Sequence, residues 1–171
     1  MLNELTILVP SSNRQSFILR LLNFWNGKEA NIKVFDGSKN SISPNKLSKF
    51  SSNIEYFHMP DKSMYERFFI ATKYVKTEYV MYGSDDEFYL PSALNECINF
   101  LKSNHDYVTC AGRAIAFSLT KGRVLGRHIY PKLKGKHLNS DDAGLRVKEH
   151  FSNYAQSHLY AVSKFSSWQP I

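Results

Sequence analysis

The chain has 171 residues, a net charge of +7 and an isoelectric point near 9.4. That length suits one domain with a real core, the 43% apolar and 22% charged fractions are those of a globular protein, and no apolar run is long enough to span a membrane. Cys97 and Cys110 lack metal-ligand spacing and the histidines are scattered, which argues against a zinc site. The N-terminus lacks the basic flank and long apolar stretch of a secretory signal, so a cytoplasmic protein with reduced thiols is expected.

Residues 5–9, Leu-Thr-Ile-Leu-Val, end at Pro10 and predict a buried strand. Ser11, Ser12 and Asn13 offer a helix cap. From Arg14 onward, Phe17, Ile18, Leu21, Leu22 and Trp25 recur at helical spacing until Gly27 supplies a stop. Residues 32–35 predict a second strand that ends in Asp36-Gly37-Ser38, and a polar loop rich in Ser, Asn and Lys follows. Residues 54–57 predict a third strand, 64–75 a helix and 78–82 a fourth strand, which runs into Gly83-Ser84-Asp85-Asp86-Glu87. Pro91 suits a first helical turn, and Leu94, Cys97, Ile98 and Leu101 give that helix an apolar stripe. Beyond it, 107–119 is strand-rich. Lys121-Gly122-Arg123 predicts a hairpin tip, with the return strand starting at Val124. Asp141 and Asp142 precede a helix over about 145–151, and 158–162 predicts a last strand.

The alternation of short strands and helices indicates parallel pairing with helical crossovers, hence an α/β fold. Parallel strands share a carboxyl end, so Asp36 and the acidic motif emerge on one edge, where open α/β sheets bind ligands. Three consecutive carboxylates repel one another. A magnesium or manganese ion, which prefers hard oxygen ligands, is one way to offset that repulsion. A polar turn ahead of the helix at Pro91 is the other reading of the same residues. One carboxylate near a base or ribose and another near a metal is what a nucleoside diphosphate needs. No Gly-x-Gly-x-x-Gly or Walker sequence is present, so dinucleotide and P-loop sites lack their phosphate cradle.

Residues 1–90 carry a net charge of +1 and residues 91–171 a net charge of +6. Much of the excess lies in Lys121, Arg123, Arg127, Lys132, Lys134 and Lys136, with no acid between them. Such a run favours a phosphate, a nucleic acid or an acidic membrane surface, or it is a solvated loop. No RRM, KH or helix-turn-helix pattern accompanies it, so nucleic acid is not the expected partner.

The order of Leu-Thr-Ile-Leu-Val-Pro, Ser-Asn-Arg, Val-Phe-Asp-Gly-Ser, Glu-Arg, Thr-Glu-Tyr-Val and Ser-Asp-Asp-Glu-Phe-x-x-Pro-x-Ala-Leu resembles the family 2 glycosyltransferases. Within that family it resembles bacterial enzymes that build surface polysaccharides. The resemblance spans about residues 5–119 well and the rest weakly. It implies a GT-A (Rossmann-like) domain over 1–171, with a mostly parallel sheet, flanking helices and a small antiparallel appended layer. Residues 1–91 would form the nucleotide-binding half and 92–171 a partial acceptor half, as in a truncated or short member.

The resemblance further implies inverting transfer from a nucleotide-sugar, UDP-linked, to a glycan or lipid-linked acceptor, with Mn2+ or Mg2+ as cofactor. Pro10, Ser12, Asn13 and Arg14 match the loop that lines the nucleotide, and Asp36 matches the aspartate that bonds the base. Arg67 matches an arginine near the nucleotide; without the resemblance it reads as a surface helix residue. Asp86, with Glu87, falls at the metal position and Asp85 near the ribose. Ser84 departs from the family pattern, standing where many members have the first aspartate of the motif. No catalytic base stands out; Asp141, Asp142 and Glu149 are the carboxylates available. A non-catalytic nucleotide- or glycan-binding remnant is the alternative. The expected location is cytoplasmic, with peripheral contact at the anionic inner face of the membrane.

Overall fold

The first apolar run becomes the middle of a six-stranded sheet. Strand β1 (Leu5–Ser11) pairs in parallel with β2 (Asn31–Asp36) on one side and β4 (Tyr79–Tyr82) on the other. Strand β3 (Ile54–His58) adds to β2, also in parallel. Beyond β4 lie two short antiparallel strands, β8 (Val162–Lys164) and then β5 (Thr109–Cys110) at the edge, giving the order β3-β2-β1-β4-β8-β5. The computed structural model describes residues 1–131, 135–152, 154 and 159–168. Lys132 and Lys134 of the basic run, and the start of the last expected strand at His158, lie outside them.

Covered on both faces, the central strands read as continuous apolar runs: Leu5, Ile7, Leu8, Val9, Ile32, Val34, Phe35, Val80 and Met81 are all buried. Lys33 interrupts β2 and is neutralised by an ion pair with Glu55, its register partner on β3. Helix α1 (Gln15–Trp25) buries Ile18, Leu21, Leu22 and Trp25. Burying a side chain of that size contributes about 1.5–3 kcal/mol. The polar loop after β2 holds one helical turn, α2 (Pro44–Leu47). Helix α3 (Met64–Thr72) precedes β4, and α4 (Pro91–Ser103) follows the acidic loop and buries the expected stripe of Leu94, Cys97, Ile98 and Leu101.

The chain divides into two compact units. One comprises Met1–Cys110 with Val162–Ile171; the other is Ala111–Ala161. The second holds a separate two-stranded sheet, β6 (Ile115–Thr120) and β7 (Arg123–His128), and helix α5 (Ala143–Ser152). A mostly parallel sheet with flanking helices and a small antiparallel sheet is the fold class read from the sequence. Among the described residues, no helix is long and apolar enough to cross a membrane.

Several local expectations need correction. Ser11, Ser12 and Asn13 do not cap α1. Arg14 holds the N-cap position without a side-chain cap bond, because Ser11 is spent on the acidic loop and Asn13 turns the chain with a φ of 59°. Helix α3 ends at Thr72 rather than Val75, although Val75 stays buried beyond it. The strand-rich stretch 107–119 splits into β5 and β6. Lys121 and Gly122 both take positive φ, 50° and 74°, which makes a two-residue hairpin turn of the type that matches strand twist. The return strand therefore starts at Arg123, paired with Thr120, one residue before Val124. The last strand begins at Val162, where the expected one ended.

Candidate functional site

Register brings the candidate residues to one edge. Ser11 stands opposite Asp36 in the β1–β2 pair, and Asp36 stands opposite His58 in the β2–β3 pair. Strand β4 runs parallel to β1, so the acidic loop leaves from the same end. Pro10 is half-buried opposite Phe35, and Ser12 is half-buried just beyond the strand. The backbone N–H of Asn13 donates to Ser38 Oγ at 2.7 Å, tying the loop after β1 to the loop after β2.

Asp36 is fully buried, with 0% exposure. Its Oδ1 accepts from Ser38 N at 2.8 Å and from Ser38 Oγ at 2.5 Å. Its Oδ2 accepts from the Tyr56 hydroxyl at 2.7 Å. Burial and this bond to the carboxylate push the Tyr56 hydroxyl pKa up. Both carboxylate oxygens are engaged, so Asp36 is the anchor of the loop after β2. Ser38 completes the link, its carbonyl lying 2.7 Å from His58 Nε2.

Arg67 is not a surface residue. A reciprocal capping box between Ser63 and Glu66 fixes the start of α3, and Arg67 follows on the inward face, 6% exposed. Nη1 donates to the Lys62 carbonyl at a long 3.4 Å, while Nε is buried without a partner among the described residues. Burial pulls the guanidinium pKa down; the nearby charge of Asp36 opposes that shift. A Cβ built on Gly37 would sit 1.2 Å from Nη1. The guanidinium thus passes through space that only glycine leaves open. An under-satisfied buried cation is a costly feature for a fold to keep.

The acidic loop is held by protein groups. Asp85 is 4% exposed; its Oδ2 accepts from Ser11 Oγ at 2.5 Å and its Oδ1 lies 3.3 Å from Arg14 Nε. Asp86, 41% exposed at its side chain, accepts from Arg14 Nη2 at 2.7 Å through Oδ2 and from Ser84 Oγ through Oδ1. Glu87 accepts from the Tyr89 hydroxyl at 2.7 Å. The two neighbouring aspartates shift in opposite directions. Burial drives Asp85 up, against its Ser11 bond and Arg14. The Ser84 and Arg14 bonds pull Asp86 down. Arg14 itself lies over the Phe17 ring, 4.3 Å from its centroid, with Arg20 also on that ring at 4.7 Å.

The donor set suits a hard cation only in part. No group of three or more His, Cys, Asp or Glu residues forms a ligand set among the described residues. The loop offers two accessible carboxylates, Asp86 and Glu87. That matches a magnesium-type site in which one or two carboxylates bind and substrate phosphates supply further ligands.

The three carboxylates considered as a base lie in the second unit. Asp142 Oδ1 accepts from Gly144 N at 2.7 Å and Leu145 N at 3.2 Å, capping the start of α5. Glu149 pairs with Lys136 at 3.6 Å. Asp141 lies just ahead of the helix, and its carbonyl accepts from Arg146 Nη1 at 3.2 Å. The site also uses residues the sequence reading gave no role: Ser38, Tyr56, His58 and Ser84. The signal for Ser38 was its place two residues after Asp36, the spacing of an Asx turn.

A sequence model of glycosyl transferase family 2 matches residues 6–159. The chain belongs to that family. Solved structures of low identity share its fold. S. aureus TarS 1–349 superposes with a TM-score of 0.59 at 15% identity, covering 95% of this chain and 47% of that one. The same protein in complex with UDP gives 0.57 at 14% identity, again with 95% and 47% covered. In complex with UDP-GlcNAc it gives 0.51 at 16% identity, with 74% and 38% covered. The family 2 chain described here thus spans less than half of those structures. No curated protein is matched.

Proposed function

We propose that this chain binds a UDP-linked nucleotide-sugar at the shared edge of β1, β2 and β4 and takes part in inverting sugar transfer to a glycan or lipid-linked acceptor. The observation that carries the reading is the convergence of Arg67, Asp36 and the Asp85–Asp86 pair on one edge, in a chain of glycosyl transferase family 2. TarS, which shares the fold, has been crystallised with UDP and with UDP-GlcNAc.

In this reading the base lies on the side of Asp36 and Arg67. Asp36 shapes that side through Ser38 and Tyr56, and a direct bond to the base would displace one of those donors. The orphaned Nε of Arg67 gains an acceptor there. Asp85 faces the ribose side, and Pro10, Ser12 and Asn13 line the nucleotide. Asp86 with Glu87 would hold Mn2+ or Mg2+. When bound, the ion would supply Lewis-acid stabilisation of charge growing on the leaving diphosphate. A carboxylate base within hydrogen-bond reach of the acceptor hydroxyl completes inverting transfer.

Calorimetry of UDP with manganese and with a chelator, on the chain and on Asp86→Ala, tests the metal role. Asp86→Ala is expected to remove most of the manganese-dependent affinity. Equal affinity with manganese and with chelator would overturn it.

A second reading keeps the nucleotide site without turnover, as a binding remnant or subunit. It is favoured by the engagement of Asp142 in the α5 cap and of Glu149 with Lys136. Measuring sugar-nucleotide consumption beside donor binding separates the two. A cytoplasmic protein in surface-polysaccharide synthesis, touching an anionic membrane face, fits the exposed hairpin. Ile115, Leu119 and Val124 share one hairpin face by register, Arg123 and Arg127 fall on the other, and Lys121 stands at the tip.

A further inference from the structure

Arg14 has an unusual position for a residue beside a cation site. Its guanidinium bridges two carboxylates, through Nε to Asp85 Oδ1 at 3.3 Å and through Nη2 to Asp86 Oδ2 at 2.7 Å. Phe17 supports it from below. Ser84 takes the remaining oxygen of Asp86, so both oxygens of that carboxylate are in use. The repulsion between adjacent aspartates, which in sequence suggests a divalent ion, is already offset by a resident cation.

The two halves of the bridge differ. Asp85 is almost fully buried, and its bond to Nε lies inside the loop. Asp86 and Arg14 are both about two-fifths exposed at their side chains, 41% and 40%. The Asp86 half of the bridge therefore faces solvent, whereas the Asp85 half does not.

We propose that Arg14 is the built-in counter-cation of the acidic loop, and that a divalent cation enters only by displacing Nη2 from Asp86. This rests on the reading of Asp86 as a cation ligand. A bare ion arriving at Asp86 meets a guanidinium of the same sign within a few ångströms, which weakens its binding. An ion arriving with a diphosphate brings acceptor oxygens for the freed Nη2, a charge-assisted bond to replace the one lost. Cation and diphosphate therefore bind cooperatively, and Arg14 carries part of the coupling. In this role Arg14 is a positioning residue: it keeps the loop assembled until the charged substrate arrives.

The test is Mn2+ affinity of the 171-residue chain, read by electron paramagnetic resonance of the free ion, with and without UDP. In Arg14→Gln, bare Mn2+ is expected to bind about tenfold tighter than in the wild type, and the gain from adding UDP is expected to shrink. Arg14→Lys keeps the charge but loses the two-point bridge; it is the second variant, should Arg14→Gln not fold, and is expected to give a smaller rise. Adding Asp86→Asn to either variant is expected to cancel the rise. Unchanged or weaker binding of bare Mn2+ in both variants overturns the inference while leaving the metal reading intact, provided wild type binds Mn2+ with UDP. A rise that survives Asp86→Asn also overturns it, because the ion then sits elsewhere. No Mn2+ binding to any form, with or without UDP, overturns both readings.

Discussion

The Arg67 guanidinium lies across Gly37, with Nη1 only 1.2 Å from where a Cβ on that glycine would be. The glycine keeps open the path of a buried cation, and that cation is under-satisfied in return. Buried polar groups without partners persist where function needs them. Gly37 and Arg67 therefore form one structural unit of the candidate site, contributed by the end of β2 and the start of α3.

Gly37→Ala and Arg67→Met are expected to weaken UDP binding to a similar extent, about ten- to a hundredfold, the loss expected for one charged hydrogen bond. Their effects should not add in the double variant, since both remove the same guanidinium placement. Arg67→Met is expected to leave the melting temperature equal or higher, because an apolar chain of similar volume replaces an unpaired buried charge. Calorimetry and thermal melts on the four proteins of the cycle check this. Full UDP affinity in Arg67→Met, with lowered stability, would make Arg67 a purely structural residue.

Asp36→Ala removes the acceptor of three donors: Ser38 N, Ser38 Oγ and Tyr56 Oη. Leaving a buried donor unpaired costs about 1–3 kcal/mol, so a clear fall in the urea midpoint is expected. Uridine and UDP affinity should fall together, because the loop that shapes the base side loosens. A variant that melts like wild type and still loses uridine would show that Asp36 acts on the base directly and carries little of the scaffold.

Much of this arrangement is legible in sequence, and the limits have physical causes. The apolar runs of β1, β2 and β4 are unambiguous because buried parallel strands need no polar face. Asp36 and Asp85–Asp86 could be placed on one edge because parallel strands share a carboxyl end. Apart from the Asx-turn spacing of Ser38, what those carboxylates bond to was not legible. The long-range partner of Asp36 comes from β3, twenty residues on, and that of Asp85 from β1, 74 residues back. Helix-cap chemistry misled at Ser11–Asn13 because a long-range bond claimed the serine. Arg67 was legible as a helix residue, but whether that helical face turns inward depends on packing that spacing alone does not fix.

Asp85 carries a stability cost of burial that pH can reveal. Its folded pKa lies above its ordinary 3.8, chiefly through burial. A carboxyl raised on folding penalises the fold while ionised, above its folded pKa. That penalty fades as pH falls through the folded value and is gone below the unfolded one. Asp85→Asn keeps an acceptor for Ser11 and removes the buried charge. It is expected to melt higher than wild type at neutral pH, with the difference shrinking as pH falls toward 4, and to bind UDP more weakly. Melting curves from pH 7 to pH 4 check the sign. A difference that grows on acidification would mean that Arg14 and Ser11 outweigh burial at this carboxylate.

Donor binding and sugar transfer are expected to separate in this chain. The residues assigned to the nucleotide lie between Pro10 and Glu87, within the first compact unit. The carboxylates available as a base lie in the second, and two of the three already have structural work. Positioning and general-base catalysis each contribute orders of magnitude to rate, so a chain that keeps the nucleotide site without a poised base binds well and turns over slowly. Asp142→Ala is expected to cost about 1 kcal/mol of stability through the lost cap and to leave UDP affinity unchanged. Steady-state assays with broad acceptor mixtures, run beside direct donor binding, measure the separation. Robust transfer by the 171-residue chain would refute it. Alanine changes at Asp141, Asp142 and Glu149 would then identify the base as the position where turnover is lost while UDP binding and the melting temperature hold.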